Sequence, residues 1–195
     1  MELDKTIRNR RSVKKFKDKK PDWRDILDCI DSIKYTPMAG DNFTLKFILV
    51  DEKEKIEKLA TAAQQDFINQ AKYVLVICSD PFRTVNAYEK RGEIYCRQQA
   101  GAAIQTFLLK ITEADLATCW IGHFADEQVK RVLKIPEKIN VEAMFPIGYE
   151  FRKPVTRRIK SDLDKALYFN EYKNTQMKKI KKPEGTKIGV SKEKK

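Results

Sequence analysis

The sequence is short of the residues from which many active sites are built. Of its 195 residues one is histidine, four are cysteine, and glycine and proline number seven each. With His123 alone, a His-rich metal cluster is excluded, and Ser-His-Asp chemistry would have a single residue to run through. Cys29, Cys78, Cys96 and Cys119 stand singly, without a C-x-x-C pair. That spacing argues against a metal site or a disulfide framework and fits a reducing compartment. The glycines never cluster, so there is no dinucleotide fingerprint and no glycine-rich phosphate loop. No apolar run approaches the roughly 20 residues of a bilayer span. The start, "MELDKTIRNRR", lacks the apolar stretch of a secretory signal. The expectation is a cytoplasmic protein with no metal and no membrane partner.

What is present in excess is positive charge. Forty lysines and arginines face 28 acids, a net +12, spread unevenly. From Lys173 onward nine lysines meet only Glu184 and Glu193, a balance of +7. This divides the chain into a domain at 1–172 and a Lys-rich tail at 173–195, read as solvated or docked on a partner subunit. Because so much of the charge lies in the tail, the total is weak support for nucleic-acid binding. A second concentration, "RNRRSVKKFKDKK" at 8–20, holds eight basic residues and one acid.

Periodicity outlines the elements between them. "DWRDILDCIDSIK" (22–34) puts Trp23, Ile26, Leu27, Ile30 and Ile33 on one helical face. "YTPMAGDN" (35–42) reads as a loop. "LKFILV" (45–50), "YVLVICS" (73–79), "LATCWIG" (116–122) and "VEAMFPIG" (141–148) read as strands, the second apolar on both faces and hence central. "EKEKIEKLATAAQQDFINQA" reads as one helix, and "DEQVKRVL" as a short one. "EIYCRQQAGAAIQTFLLKITEA" contains a long helix whose Ala100–Ala103 stretch leaves room for a neighbouring helix. The alternation predicts a layered α+β or α/β domain.

Three places carry candidate chemistry. Arg10, Arg11, Ser12 and Lys14 set two planar donor forks, a hydroxyl and an ammonium within five residues, a pattern suited to phosphate. By composition alone, such a cluster is more often solvated surface. "RKPVTRRIK" (152–160) places Arg157 and Arg158 after the last strand, able to reach the same phosphate if the termini converge. In "CWIGHF", Gly122 would let backbone amides approach a planar ligand, while His123 reads as an ordinary loop residue.

In order, these pieces resemble the FMN-dependent nitroreductase family. "RRSVKKF" matches its opening R-R-S-[VI]-[RK]-x-[FY], "TPMAGDN" its A-P-S-A-G-N loop, and "QDFINQA" its Q-x-F-[IV]-x-x-A segment. "TCWIGHFADEQVKRVLKIPE" and "FPIGYEFRKP" match its later signatures, so the resemblance runs from about Ile7 to Lys165. It implies a nitroreductase-like α+β fold: a central mixed, mainly antiparallel sheet flanked by helices, in an intertwined homodimer with FMN at the interface. Carried over by position, Arg10, Arg11, Ser12 and Lys14 would hold the ribityl phosphate, closed over by Arg157 or Arg158. Pro37, Met38, Ala39, Asp41 and Asn42 would line the flavin from the other subunit. Gln64 or Gln65 would meet its pyrimidine edge, with backbone at Ile121 and Gly122 facing its hydride-accepting nitrogen. The chain departs from the family at "DNFTL" (41–45), where Asp41 replaces an amide and cannot donate its hydrogen bonds.

The implied activity is ping-pong hydride transfer from NADH or NADPH through FMN to a nitroaromatic, quinone or related flat acceptor. No side chain is assigned as an acid-base catalyst, because the cofactor supplies the chemistry. Two other readings stand beside it. One is a basic nucleic-acid-binding protein, disfavoured because the aromatics sit in apolar runs instead of alternating with basic residues. The other is an FMN-binding protein without efficient turnover.

Overall fold

The computed structural model describes residues 2–152 and 163–177. The chain divides into two compact units, Met1–Lys153 and Pro154–Lys195. Arg157, Arg158 and residues 178–195 of the tail lie outside the described residues.

The first unit is α+β. Four strands, β1 (Leu45–Val50), β2 (Tyr73–Ser79), β3 (Ala117–Thr118) and β4 (Asn140–Gly148), form a sheet in the order β1-β2-β4-β3. Each pairing among the described strands is antiparallel. β2 is central and buried along its whole length, as a strand apolar on both faces requires.

Helices cover both faces. On one side α5 (Lys90–Glu113) and α2 (Trp23–Asp31) pack Ile104, Phe107, Ile111, Ile26 and Cys29 against Leu75, Ile77, Phe145 and Ile147. Phe107 and Phe145 meet edge to face, 5.5 Å between centroids. Each such fully buried side chain contributes about 1.5–3 kcal/mol. On the other side α3 (Lys53–Ala63) and α6 (Asp126–Leu133) bring Leu59, Ala63 and Val129 onto Val74, Val76 and Met144.

The strands at 45–50, 73–79 and 141–148 form as the sequence predicts, the last from Asn140. Four other expectations change. α2 begins at Trp23 because the Asp22 carboxylate accepts from the Arg24 N–H, but Trp23 and Leu27 are exposed while Ile26 and Ile33 are buried. The helix expected over 52–71 stops at Gln64, which turns left-handed (φ 54), and resumes as a 3-10 turn, Asp66–Gln70. The third strand pairs only at Ala117–Thr118, then bridges once more through Ile121 to Met144. Two helices are additional: α1 (Leu3–Asn9) and α4 (Phe82–Tyr88).

Glycine decides the α4–α5 packing at an unexpected place. Nothing within 4 Å would meet a side chain at Gly101, in the small-residue stretch. At Gly92 a Cβ would sit 2.4 Å from the Thr84 carbonyl oxygen. The close approach therefore occurs one helical end away.

Candidate functional site

The basic stretch becomes an extended strap along the sheet edge. α1 ends at Arg10, whose φ/ψ of −57/126 sends the chain out straight. The Val13 N–H then donates to the Thr118 carbonyl (2.9 Å), Lys17 to Tyr149 (2.8 Å), and Phe151 back to Lys15 (3.0 Å). The Phe16 N–H donates to the Gln70 side-chain oxygen (3.2 Å). Val13 and Phe16 are buried, 7% and 5% exposed, so the strap is pinned by its apolar residues while Ser12, Lys14 and Lys15 stay exposed.

Burial pushes the Cys119 thiol up, and a Ser12 hydrogen bond and the Lys14 charge oppose that rise. The Lys14 ammonium also lies 5.4 Å above the Phe67 ring, in the turn just after Gln64 and Gln65. Those two residues are tied back to α3: the Gln64 N–H donates to Thr61 and the Gln65 N–H to Ala60. The Ala125 N–H donates to Ala62 (2.8 Å), bringing the segment after Gly122 to the same helix end. The strap, the end of α3 and residues 119–125 thus share one region.

Within it, Ile121 and Gly122 differ. Ile121 is buried, and its N–H and carbonyl are both used by Met144, at 3.0 Å each. Gly122 is exposed, and no hydrogen bond of its N–H is seen among the described residues. Trp120, 43% exposed, tilts against Phe145 at 6.0 Å. His123 is exposed in the loop, as expected.

The arginines are not equivalent. Arg11 donates through Nε to Glu150 Oε1 (3.0 Å) and through Nη2 to Oε2, with Nη1 on the Asn9 carbonyl. Its fork is occupied within the chain. Arg10 lines the adjoining cavity.

The loop at 37–42 lies elsewhere. Gly40 (φ 56) and Asp41 (φ 54) are both left-handed, and the Asn42 N–H closes the turn on Ala39 (3.1 Å). Buried Gln99 holds it: its amide donates to the Asn42 carbonyl, and its oxygen accepts from the Thr44 N–H and hydroxyl. Pro37, Met38 and Ala39 line a shallow cavity of about 260 Å³ with Tyr95, Gln98 and Ala102. Register separates this loop from the strap. Leu45 is level with Ser79 and so with Asn140, at the start of β4, whereas Thr118 is level with Ile147 near its end. Seven residues along the strands and four strand spacings across put the corners on the order of 30 Å apart.

Sequence reasoning missed Gln99, Gln70, Glu150 and Cys119. "QDFINQA" contained Gln70 but nothing assigned its amide to a strap 54 residues away. Among the described residues no group of three His, Cys, Asp or Glu could hold a metal, and no helix is long and apolar enough to cross a membrane.

Residues 60–149 match the model of the Nitroreductase family. A protein of Methanothermobacter thermautotrophicus, provisionally named an NADH dehydrogenase/NAD(P)H nitroreductase, is 26% identical over 162 residues, covering 80% of this chain and 82% of that protein. The crystal structure of a nitroreductase family protein from Clostridium novyi has a TM-score of 0.72 at 25% identity, over 89% of this chain and 96% of that one. An FMN-dependent nitroreductase from Clostridium difficile has a TM-score of 0.72 at 25% identity, over 86% and 98%. Strap, sheet order and comparisons agree: residues 60–149 match the Nitroreductase family, and the chain has the nitroreductase fold.

Proposed function

We propose that the protein is an FMN-dependent NAD(P)H oxidoreductase that works as a homodimer on flat acceptors such as nitroaromatics or quinones. The observation that carries this reading is the pinned strap, which leaves Ser12 and Lys14 exposed with the Lys14 ammonium over Phe67 at the end of α3, where the segment after Gly122 also returns. A hydroxyl and a cation on a pinned strap suit a phosphate, since little side-chain or backbone freedom is lost on binding. FMN, when bound, supplies the two-electron chemistry between nicotinamide and acceptor.

The chain's own residues bind and orient. Arg10, Ser12 and Lys14 would hold the phosphate. Arg11 instead anchors the strap through Glu150. The Gly122 N–H, without a hydrogen bond among the described residues, would offer a donor to the ring, while Ile121, whose backbone is spent on Met144, would hold that segment in place. Gln64 or Gln65 supplies an amide to the pyrimidine edge. Residues 37–42 would line the flavin held by a second chain, as in a homodimer.

An absorption spectrum tests the proposal. A yellow protein bleached by NADH or NADPH and recoloured by a quinone is expected. A colourless protein that gains no flavin spectrum on adding FMN would refute it; colour that no nicotinamide bleaches would leave an FMN-binding protein without turnover.

A further inference from the structure

Where the strap runs beside the end of β4, basic and aromatic side chains interleave. Phe16 bridges Glu150, the Lys17 N–H donates to Tyr149 and the Phe151 N–H to Lys15. Lys15 thus stands opposite Phe151 and Lys17 opposite Tyr149, and residues opposite one another in an antiparallel pair share a face. The Lys15 ammonium lies 4.8 Å above the Phe151 ring, the Lys19 ammonium 4.6 Å above Tyr149, and the Arg152 guanidinium 5.5 Å from Phe151. Lys17, Tyr149, Phe151 and Arg152 also line one cavity of about 410 Å³. The sequence disfavours nucleic acid because its aromatics sit in apolar runs. The fold removes that objection by bringing Tyr149 and Phe151 among the strap's lysines.

The cations of this face are not spent on acids. Lys15, Lys17, Lys19 and Arg152 are exposed. None pairs with an acid among the described residues, since Glu150 is held by Arg11 and Asp18 by Lys72. Asp115, in the wall of the cavity, is the acid left beside them. Lysines on alternate residues of an extended chain are about 6.8 Å apart. Such a row suits the successive charges of a linear polyanion, where a small anion would meet only part of it. Phe151, 43% exposed, adds a ring on which a planar base can stack. Lys14 lies elsewhere, over Phe67 at the end of α3, so the row is separate from the proposed flavin phosphate.

We propose that this face binds single-stranded nucleic acid, with phosphates along Lys15, Lys17 and Lys19 and a base on Phe151. On binding, the ammonium groups pass from ring to phosphate and a base takes the vacated face. A lipid surface fits less well, because insertion needs apolar side chains projecting beyond the cations, and here the cations cover the rings.

The test titrates the full-length protein into a fluorescent oligothymidine of about 15 nucleotides at several salt concentrations. Saturable binding that weakens with salt is expected. Lys15→Gln, Lys17→Gln and Lys19→Gln together should flatten the slope of log K against log salt by about 2, at about 0.7 for each phosphate contact. The Lys-rich tail is common to all variants, so the difference reports the strap. Phe151→Leu should weaken binding about tenfold, the size of one stacked base, at an unchanged slope. Unchanged urea midpoints show that the variants fold; should Phe151→Leu not fold, the lysine variant decides by its slope. Absent binding, an unchanged slope in the lysine variant, or full affinity in a folded Phe151→Leu would overturn the proposal. So would an equal flattening by Lys53→Gln, Lys58→Gln and Lys138→Gln, exposed lysines away from the strap, or binding to phosphatidylserine vesicles in place of the oligonucleotide.

Discussion

Arg11 and Glu150 lock the strap to the end of the sheet, the guanidinium fork lying along the carboxylate and the pair largely shielded, with side chains 30% and 13% exposed. One arginine of an adjacent pair is thereby made structural.

The two should separate by assay. Arg11→Ala is expected to cost about 2 kcal/mol of stability, since Glu150 keeps its shielded carboxylate and loses its partner, and to shift the urea midpoint. Arg10→Ala with Ser12→Ala should instead lower FMN affinity by a few kcal/mol, at about 1.5–3 for each charged hydrogen bond. FMN titration of both variants decides; Arg11→Ala alone abolishing FMN retention would reverse the assignment.

At Gly92, an added methyl would press into the Thr84 carbonyl (2.4 Å) and the Val85 Cα (2.5 Å). Both are backbone atoms that cannot rotate away, so α4 must shift. Gly92→Ala is expected to destabilise by about 1–3 kcal/mol, despite alanine's better helix propensity. Gly101→Ala, with open space around it, should be neutral or stabilising. Chemical denaturation of the pair measures the contrast.

Glu89 joins α4 to α5 at φ 48, ψ −131, a conformation costly for a residue with a Cβ. Glu89→Gly should relieve that strain and stabilise by about 1 kcal/mol after the entropy lost on fixing glycine. A raised urea midpoint with an unchanged slope is the expected result. A lowered midpoint would mean that the Glu89 side chain itself holds the joint.

Burial pushes the Cys29 and Cys78 thiols up from 9.0 to about 11. Because the folded state disfavours the thiolate, their contribution is fully present below pH 9 and is lost as the pH rises towards 11. Stability should therefore fall across that window, on the order of 2 kcal/mol or more per thiol. Replacing both by alanine should flatten the fall while lowering stability at neutral pH through the smaller core side chains. An equally steep alkaline decline in that variant would assign the loss to other groups.

The order of the elements and the family resemblance were legible because periodicity and local motifs are short-range properties. Three strands, the central position of β2 and the loop at 35–42 all follow from neighbours in sequence. The "RRSVKKF" motif likewise marked the strap as important. Its division of labour was not legible, because alike residues are told apart by partners far along the chain: Arg11 by Glu150 and Phe16 by Gln70.

Charge, hydrophobic period and turn chemistry determined what this chain builds. Tertiary structure alone decided which groups are spent and which are left over. It consumed the backbone of Ile121 on Met144 while leaving Gly122 open, and it placed the close helix contact at Gly92 instead of Gly101. The physical reason is that hydrogen-bond satisfaction and steric approach are set by pairing register and packing, which join residues that no local pattern links.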